Sequence, residues 1–295
     1  MSHGHSHQPA NYSRAFVIGV VLNLIFAAIE AVYGVASGSL ALVADAGHNL
    51  SDVFSLLLAW GAAVLAERPP TERRTYGFRK ATILASLTSA VLLLVALGAI
   101  AWEAIGRFSD PKPVQGVTVI VVAAIGVVIN GVTALLFVKG QKHDLNIRGA
   151  YLHMVADAGV SLGVVAGGVI IITTGWLWTD PVISLLVAAV ILVGTWSLLL
   201  DSINLSIDSV PEHIDMPGIK GYLTGLENVF QMHDLHVWPL STTEVALSVH
   251  LILDDDCHDK DFLSGIQRHL HDWFGIEHST IQVERQGDDS CMLNR

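Results

Sequence analysis

His48-Asn-Leu-Ser-Asp52 and His153-Met-Val-Ala-Asp157 repeat one pattern, His-x-x-x-Asp, inside two separate long apolar stretches. Imidazole and carboxylate together bind divalent metal ions, and imidazole exchanges protons near neutral pH. On a helix, four residues rise about 6 Å and turn roughly 400°, so each His stands above its Asp on one face. Two such faces meeting offer two imidazoles and two carboxylates. That is a tetrahedral set suited to Zn²⁺, and Cd²⁺ and Co²⁺ accept similar donors. Two carboxylates also cancel the charge of one divalent ion, which a low-dielectric site requires. A lone His or Asp in such a stretch is more often a hydrogen-bonding partner for a neighbouring helix. Two copies at identical spacing point instead to one shared metal site.

The elements that must position these residues are membrane helices. The chain is 52% hydrophobic and only 15% charged, with mean hydropathy +0.54, beyond the range of an ordinary soluble domain. Six apolar stretches, at about 15–36, 40–65, 81–105, 115–138, 147–173 and 181–201, are each long enough to cross a bilayer. No cleavable signal pattern is read before the first of them. With the N-terminus inside, nine basic residues before the tail fall on the inner side: Arg14, Arg68, Arg73, Arg74, Arg79, Lys80, Lys139, Lys142 and Arg148. Only Arg107 and Lys112 fall outside. This asymmetry places both termini in the cytoplasm.

Orientation sharpens the site. The second helix runs outer to inner and the fifth inner to outer, and both motifs lie near the midplane. His48 should then be level with Asp157, and Asp52 level with His153. Asp45 sits one turn outward of His48, either as a waypoint for a leaving ion or as a hydrogen-bonding partner between helices. Asn23, Glu30 and Asn130 read as packing or supporting polar groups on other spans.

The expected organisation is a leader over 1–14, a six-helix membrane domain over 15–206 and a cytoplasmic α/β domain over 207–295. His3, His5 and His7 make the leader either a weak metal trap or an incidental tail. The last domain carries the whole net charge of −11, since the first 206 residues hold 11 charges of each sign. An acidic tail is not a nucleic-acid binder, although it concentrates cations. Cys257 and Cys291 make no disulfide framework or Cys-x-x-Cys motif. Periodicity gives a helix near 215–226, strands at Met232–Trp238 and Val245–Leu253, a helix near 259–273 and a last strand at Thr280–Glu284. Helix–strand–strand–helix–strand suggests an open-faced sandwich. His233, His236, His250, His278 and Glu284 lie on or beside those strands, with Cys257 and His258 in the loop after the second.

Taken in order, the motifs resemble the cation diffusion facilitator family, in its zinc-exporting branch. The resemblance rests on Ser39-Leu-Ala-Leu-Val-Ala-Asp-Ala-Gly-His-Asn-Leu-Ser-Asp52, Thr75-Tyr-Gly-Phe-Arg-Lys80 and His153-Met-Val-Ala-Asp157. In the tail it rests on Val229-Phe-Gln-Met-His-Asp-Leu-His-Val-Trp238 and His278-Ser-Thr-Ile-Gln-Val-Glu284. It implies a metal transport site of His48, Asp52, His153 and Asp157. It also implies a homodimer whose tail is metallochaperone-like. It further implies a structural or regulatory ion at His233 and His250, with Glu284 as a third ligand. Many animal relatives carry a long His-rich loop after the fourth helix. Here Lys139–Asn146 is short with one His, which favours a bacterial inner membrane. Relatives also use a Lys at the start of the third helix in a surface salt bridge; Lys80 stands there, with Asp201 or Asp208 as its partner.

The resemblance implies efflux of Zn²⁺ in exchange for protons, because metal and protons compete for imidazole and carboxylate. No covalent chemistry is required, so an enzyme is not expected. An intramembrane metallohydrolase would normally show more His ligands and an open water position, and neither His-Glu-x-x-His nor a cluster of His-x-x-His motifs is present. A metal sensor would bind at the membrane site without moving the ion.

Overall fold

The computed structural model describes residues 13–138, 145–253 and 260–285. Six long helices come first: α1 (Ser13–Ser37), α2 (Leu40–Ala66), α3 (Ala81–Ser109), α4 (Gly116–Phe137), α5 (Leu145–Thr174) and α6 (Thr179–Ser206). Among the described residues, five of them are long and apolar enough to cross a membrane, and α1 contributes a shorter apolar stretch, Val21–Ser37. Their outward faces carry large apolar side chains such as Val35, Val95, Trp102, Leu135 and Val193. So much exposed apolar surface is sustainable in lipid and not in water. Trp176 and Trp178 stack at the α5–α6 turn, the amphipathic pair expected at a membrane boundary.

The chain divides into two compact units, residues 1–57 with 89–196 and residues 58–88 with 197–295. In the first unit Phe26, Leu42, Ala123, Val164, Val187 and Ile191 form a shared apolar core. Glycines let α4 and α5 approach closely: a Cβ on Gly168 would lie 2.7 Å from Ile120 Cγ1 and 3.2 Å from the carbonyl oxygen of Gly116. Small residues at such seams maximise dispersion contact where no hydrophobic effect drives association. The α1–α2 corner turns on Gly38, at φ 73°, with Gly38 N–H donating to Val35 O and Ser39 N–H to Gly34 O. These two bonds close a Schellman motif and satisfy the last carbonyls of α1.

The second unit contains α7 (Met216–Thr224), β1 (Val229–Pro239), β2 (Val245–Leu253), α8 (Lys260–Phe274) and β3 (His278–Arg285). These are the elements the sequence periodicity predicts, in that order. Asp215 caps α7 by accepting from Gly218 N–H at 3.0 Å, which satisfies one of the first turn's free donors. The sheet order is β1-β2-β3, with β1 antiparallel and β3 parallel to β2. Leu247, Val249, Leu251 and Leu253 enter one core with Ile219, Leu223, Ile266 and Leu270 of the helices. The intervening Ser248, His250 and Ile252 are less buried and, by strand alternation, occupy the opposite face. Lys80 Nζ lies 2.7 Å from Asp208 Oδ1, so Asp208 is its partner. Arg79 pairs with Glu244 at 2.9 Å.

Candidate metal centre

The α2 and α5 motifs meet. His48 Nε2 lies 3.6 Å from Asp157 Oδ1 and 3.6 Å from Asp52 Oδ2. His153 Nε2 lies 3.1 Å from Asp52 Oδ2 and 3.5 Å from Asp157 Oδ2. Each imidazole nitrogen therefore faces both carboxylates. Bonds of about 2.0–2.1 Å in a tetrahedral zinc site put neighbouring ligand atoms about 3.3 Å apart, so the spacing suits a cation held among them. The two rings meet edge to face, with centroids 5.9 Å apart.

Exposure is graded across the cluster. The side chains of Asp157 and His48 are 3% and 15% exposed, those of Asp52 and His153 31% and 43%. The open side is the one nearer the C-terminal end of α2 and the N-terminal end of α5. On the other side the polar groups are sealed. Ser161 Oγ donates to Asp45 Oδ2 at 3.0 Å, and Asn49 Nδ2 donates to Glu30 Oε2 at 3.2 Å. Asp45 thus lies outside the four-residue cluster, hydrogen-bonded to another helix. Asn23 contacts Met154 Sδ at 3.3 Å. Asn130 is buried, with neither amide atom hydrogen-bonded among the described residues.

Sequence reasoning missed one buried constellation. Asp180, in the first turn of α6, accepts from Ser39 Oγ at 2.6 Å, Leu40 N–H at 2.9 Å and Ala41 N–H at 3.4 Å. It therefore caps α2 from a different helix. Arg107, at the end of α3, lies 3.3 Å from Asp180 Oδ2 and donates to the Gly38 carbonyl. The ends of α1, α2, α3 and α6 are tied at one point, two turns from His48. The only sequence signal is an Asp-Pro pair opening a helix, which reads equally as a local turn.

The tail holds a second cluster. His233 and His250 are cross-strand partners. Glu284, on β3, reaches both: Oε2 lies 3.0 Å from His233 Nε2 and Oε1 2.8 Å from His250 Nδ1. All three offer ligand atoms within 4.8 Å of one another. A bulge in β1 puts Asp234 at φ 50°, bringing its carboxylate 2.9 Å from His236 and 3.7 Å from His250. His278 instead faces the Tyr76 ring. His3, His5, His7, Cys257 and His258 lie outside the described residues.

These features define a multi-pass membrane protein with clusters of His and carboxylate side chains, able to hold a metal ion, both within its apolar helices and on a small α/β domain. Comparison with known proteins narrows the class: residues 16–205 match the cation efflux transmembrane domain and residues 211–286 the cytoplasmic domain of cation efflux proteins. The chain belongs to the cation efflux, or cation diffusion facilitator, family. It is 38% identical over 305 residues to the zinc transporter ZitB of Escherichia coli, covering 100% of this chain and 96% of that protein. It is 36% identical over 286 residues to the metal cation efflux system protein CzcD of Cupriavidus metallidurans, covering 96% and 90%. It is 36% identical over 289 residues to a cadmium, cobalt and zinc/H(+)-K(+) antiporter of Bacillus subtilis, covering 96% and 92%.

Proposed function

We propose that this protein exports divalent metal ions, with Zn²⁺ as principal substrate, by exchanging cytoplasmic metal for protons at His48, Asp52, His153 and Asp157. The observation that carries this reading is the mutual approach of two imidazoles and two carboxylates from α2 and α5 within apolar helices. The names of the relatives, zinc transporter and cation efflux protein, support the same substrate class. Cd²⁺ and Co²⁺ fit similar donors and are secondary substrates.

Metal loads as the imidazoles lose protons and bind through neutral nitrogen, while both carboxylates are ionised. Asp52 and His153, on the open side, meet the ion first; Asp157 and His48 complete the set. With the N-terminus inside and six spans, the open side faces the cytoplasm. Rocking of the helices then exposes the cluster outward, where protons displace the metal, and the protonated site returns. Apart from the exchanging protons and the metal–ligand bonds, no bond is made or broken.

The organisation is a leader over 1–14, a membrane domain over 15–206 and a cytoplasmic domain over 207–295, assembled as a homodimer in a bacterial inner membrane. His233, His250 and Glu284 bind a regulatory ion on the cytoplasmic domain. Expression in a zinc-sensitive bacterium lacking its own zinc exporters tests the export reading. Zinc tolerance and lowered cell zinc are expected from the wild type and not from His153→Ala. Equal tolerance from both would refute the assigned site.

A further inference from the structure

One turn beyond the four-residue cluster, away from its open side, α1, α2 and α5 bring together a second cluster of buried polar side chains. Glu30, Asp45 and Ser161 are fully buried and Asn49 nearly so. The Glu30 and Asp45 carboxyl groups lie against each other. Asn49 serves one oxygen of Glu30 and Ser161 one oxygen of Asp45. The remaining oxygens, Glu30 Oε1 and Asp45 Oδ1, are buried with no hydrogen-bond donor among the described residues.

Two carboxylates pressed together out of water are strongly unfavourable unless a positive charge sits with them. No basic side chain of the described residues pairs with either. The charged groups facing the pair are Asp157 and His48 of the neighbouring cluster, and Asp157 adds further negative charge. The free donor atoms are carboxylate oxygens without an imidazole or thiolate. Such hard oxygens suit a proton or an alkali cation, whereas the nitrogen-containing cluster beside them suits zinc.

We propose that Glu30 and Asp45 form a second cation site, holding one monovalent cation beside the divalent site in addition to the protons exchanged there. This rests on the export reading above and deepens it. The divalent ion occupies the His48–Asp157 cluster, the monovalent cation sits one turn further out, and repulsion across that turn links release of one to entry of the other.

The test uses the full-length protein in liposomes, with zinc and pH dyes reporting both ions. One arm imposes a proton gradient with choline as the sole other monovalent cation; the other imposes a potassium gradient at equal pH. In the wild type, zinc flux should follow the proton gradient; a further component under the potassium gradient identifies the second cation as an alkali ion, and no such component identifies it as a proton. Glu30→Gln should keep zinc affinity within about twofold by calorimetry, yet lose about tenfold or more of the gradient-driven component. Glu30→Asp, which keeps the charge, should recover part of it. Gradient-driven flux in Glu30→Gln within twofold of wild type would overturn the proposal. So would loss of zinc binding together with coupling in a folded Glu30→Gln preparation, since Glu30 would then serve the divalent site. No zinc flux in the wild type under either gradient would refute the export reading itself.

Discussion

His153 Nε2 lies 3.1 Å from Asp52 Oδ2, the shorter of the two contacts that join α2 to α5 at the cluster; His48 and Asp157 make the other at 3.6 Å. Asp52 and His153 are also the two most exposed of the four residues, so the tighter link is the more accessible half of the cluster. Asp52→Asn keeps the shape and removes a charge and a ligand oxygen. Zinc affinity should fall by about tenfold or more, the scale on which even outer-shell changes act. Equilibrium dialysis with radioactive zinc checks this, and unchanged affinity would exclude Asp52 as a ligand.

Asp180 and Arg107 form a buried pair that also holds the first turn of α2. Removing one partner leaves a buried charge, at a cost of about 3–5 kcal/mol. Asp180→Leu should therefore lower the melting temperature in detergent markedly. The double variant Asp180→Leu with Arg107→Leu should recover part of the loss, because neither charge is then stranded. A double variant at least as unstable as the sum of the singles would show that the pair acts through something other than its charges.

The tail cluster predicts a metal-dependent gain in local stability. At metal concentrations about 100-fold above the dissociation constant, a site present only in the folded state adds about 2.7 kcal/mol. Zinc should slow amide hydrogen exchange in Val229–Pro239 and His278–Arg285, the two strands that Glu284 bridges. Glu284→Ala should abolish that slowing. Equal protection in wild type and variant would remove Glu284 from the site.

Lys80 and Asp208 are each about half exposed, and such pairs contribute only about 0–1 kcal/mol. Lys80→Ala should thus leave the melting temperature nearly unchanged. A large loss would mean that Lys80 has a role in folding that its ion pair with Asp208 does not account for.

The sequence made some of these relationships readable and hid others for physical reasons. The His-x-x-x-Asp pairs are local in sequence and helical spacing fixes their shared face, so the facing of α2 and α5 could be argued from topology alone. Strand alternation marked β2 because one face is buried and the other is not. The cap that Asp180 places on α2 joins residues some 140 apart, and no local periodicity carries such a contact. Lys80 had two candidate partners because the choice depends on the chain turning at Asp208, a non-glycine residue at φ 62°. The bulge that turns Asp234 toward His236 and His250 shows in the sequence only as the three-residue step from Met232 to Leu235, out of phase with strand alternation, and that step does not say which side chain is turned. Glu30 was visible as a polar residue in a span, yet its contact with Asp45 depends on how α1 packs beside α2.

Zinc flux into proteoliposomes under an imposed pH gradient, compared between wild type and Asp157→Ala, tests the central claim most directly. Uptake that follows the gradient in the wild type and disappears in a folded Asp157→Ala protein is the predicted result. Zinc binding without gradient-driven flux in a folded wild-type preparation would contradict the account and favour a metal sensor.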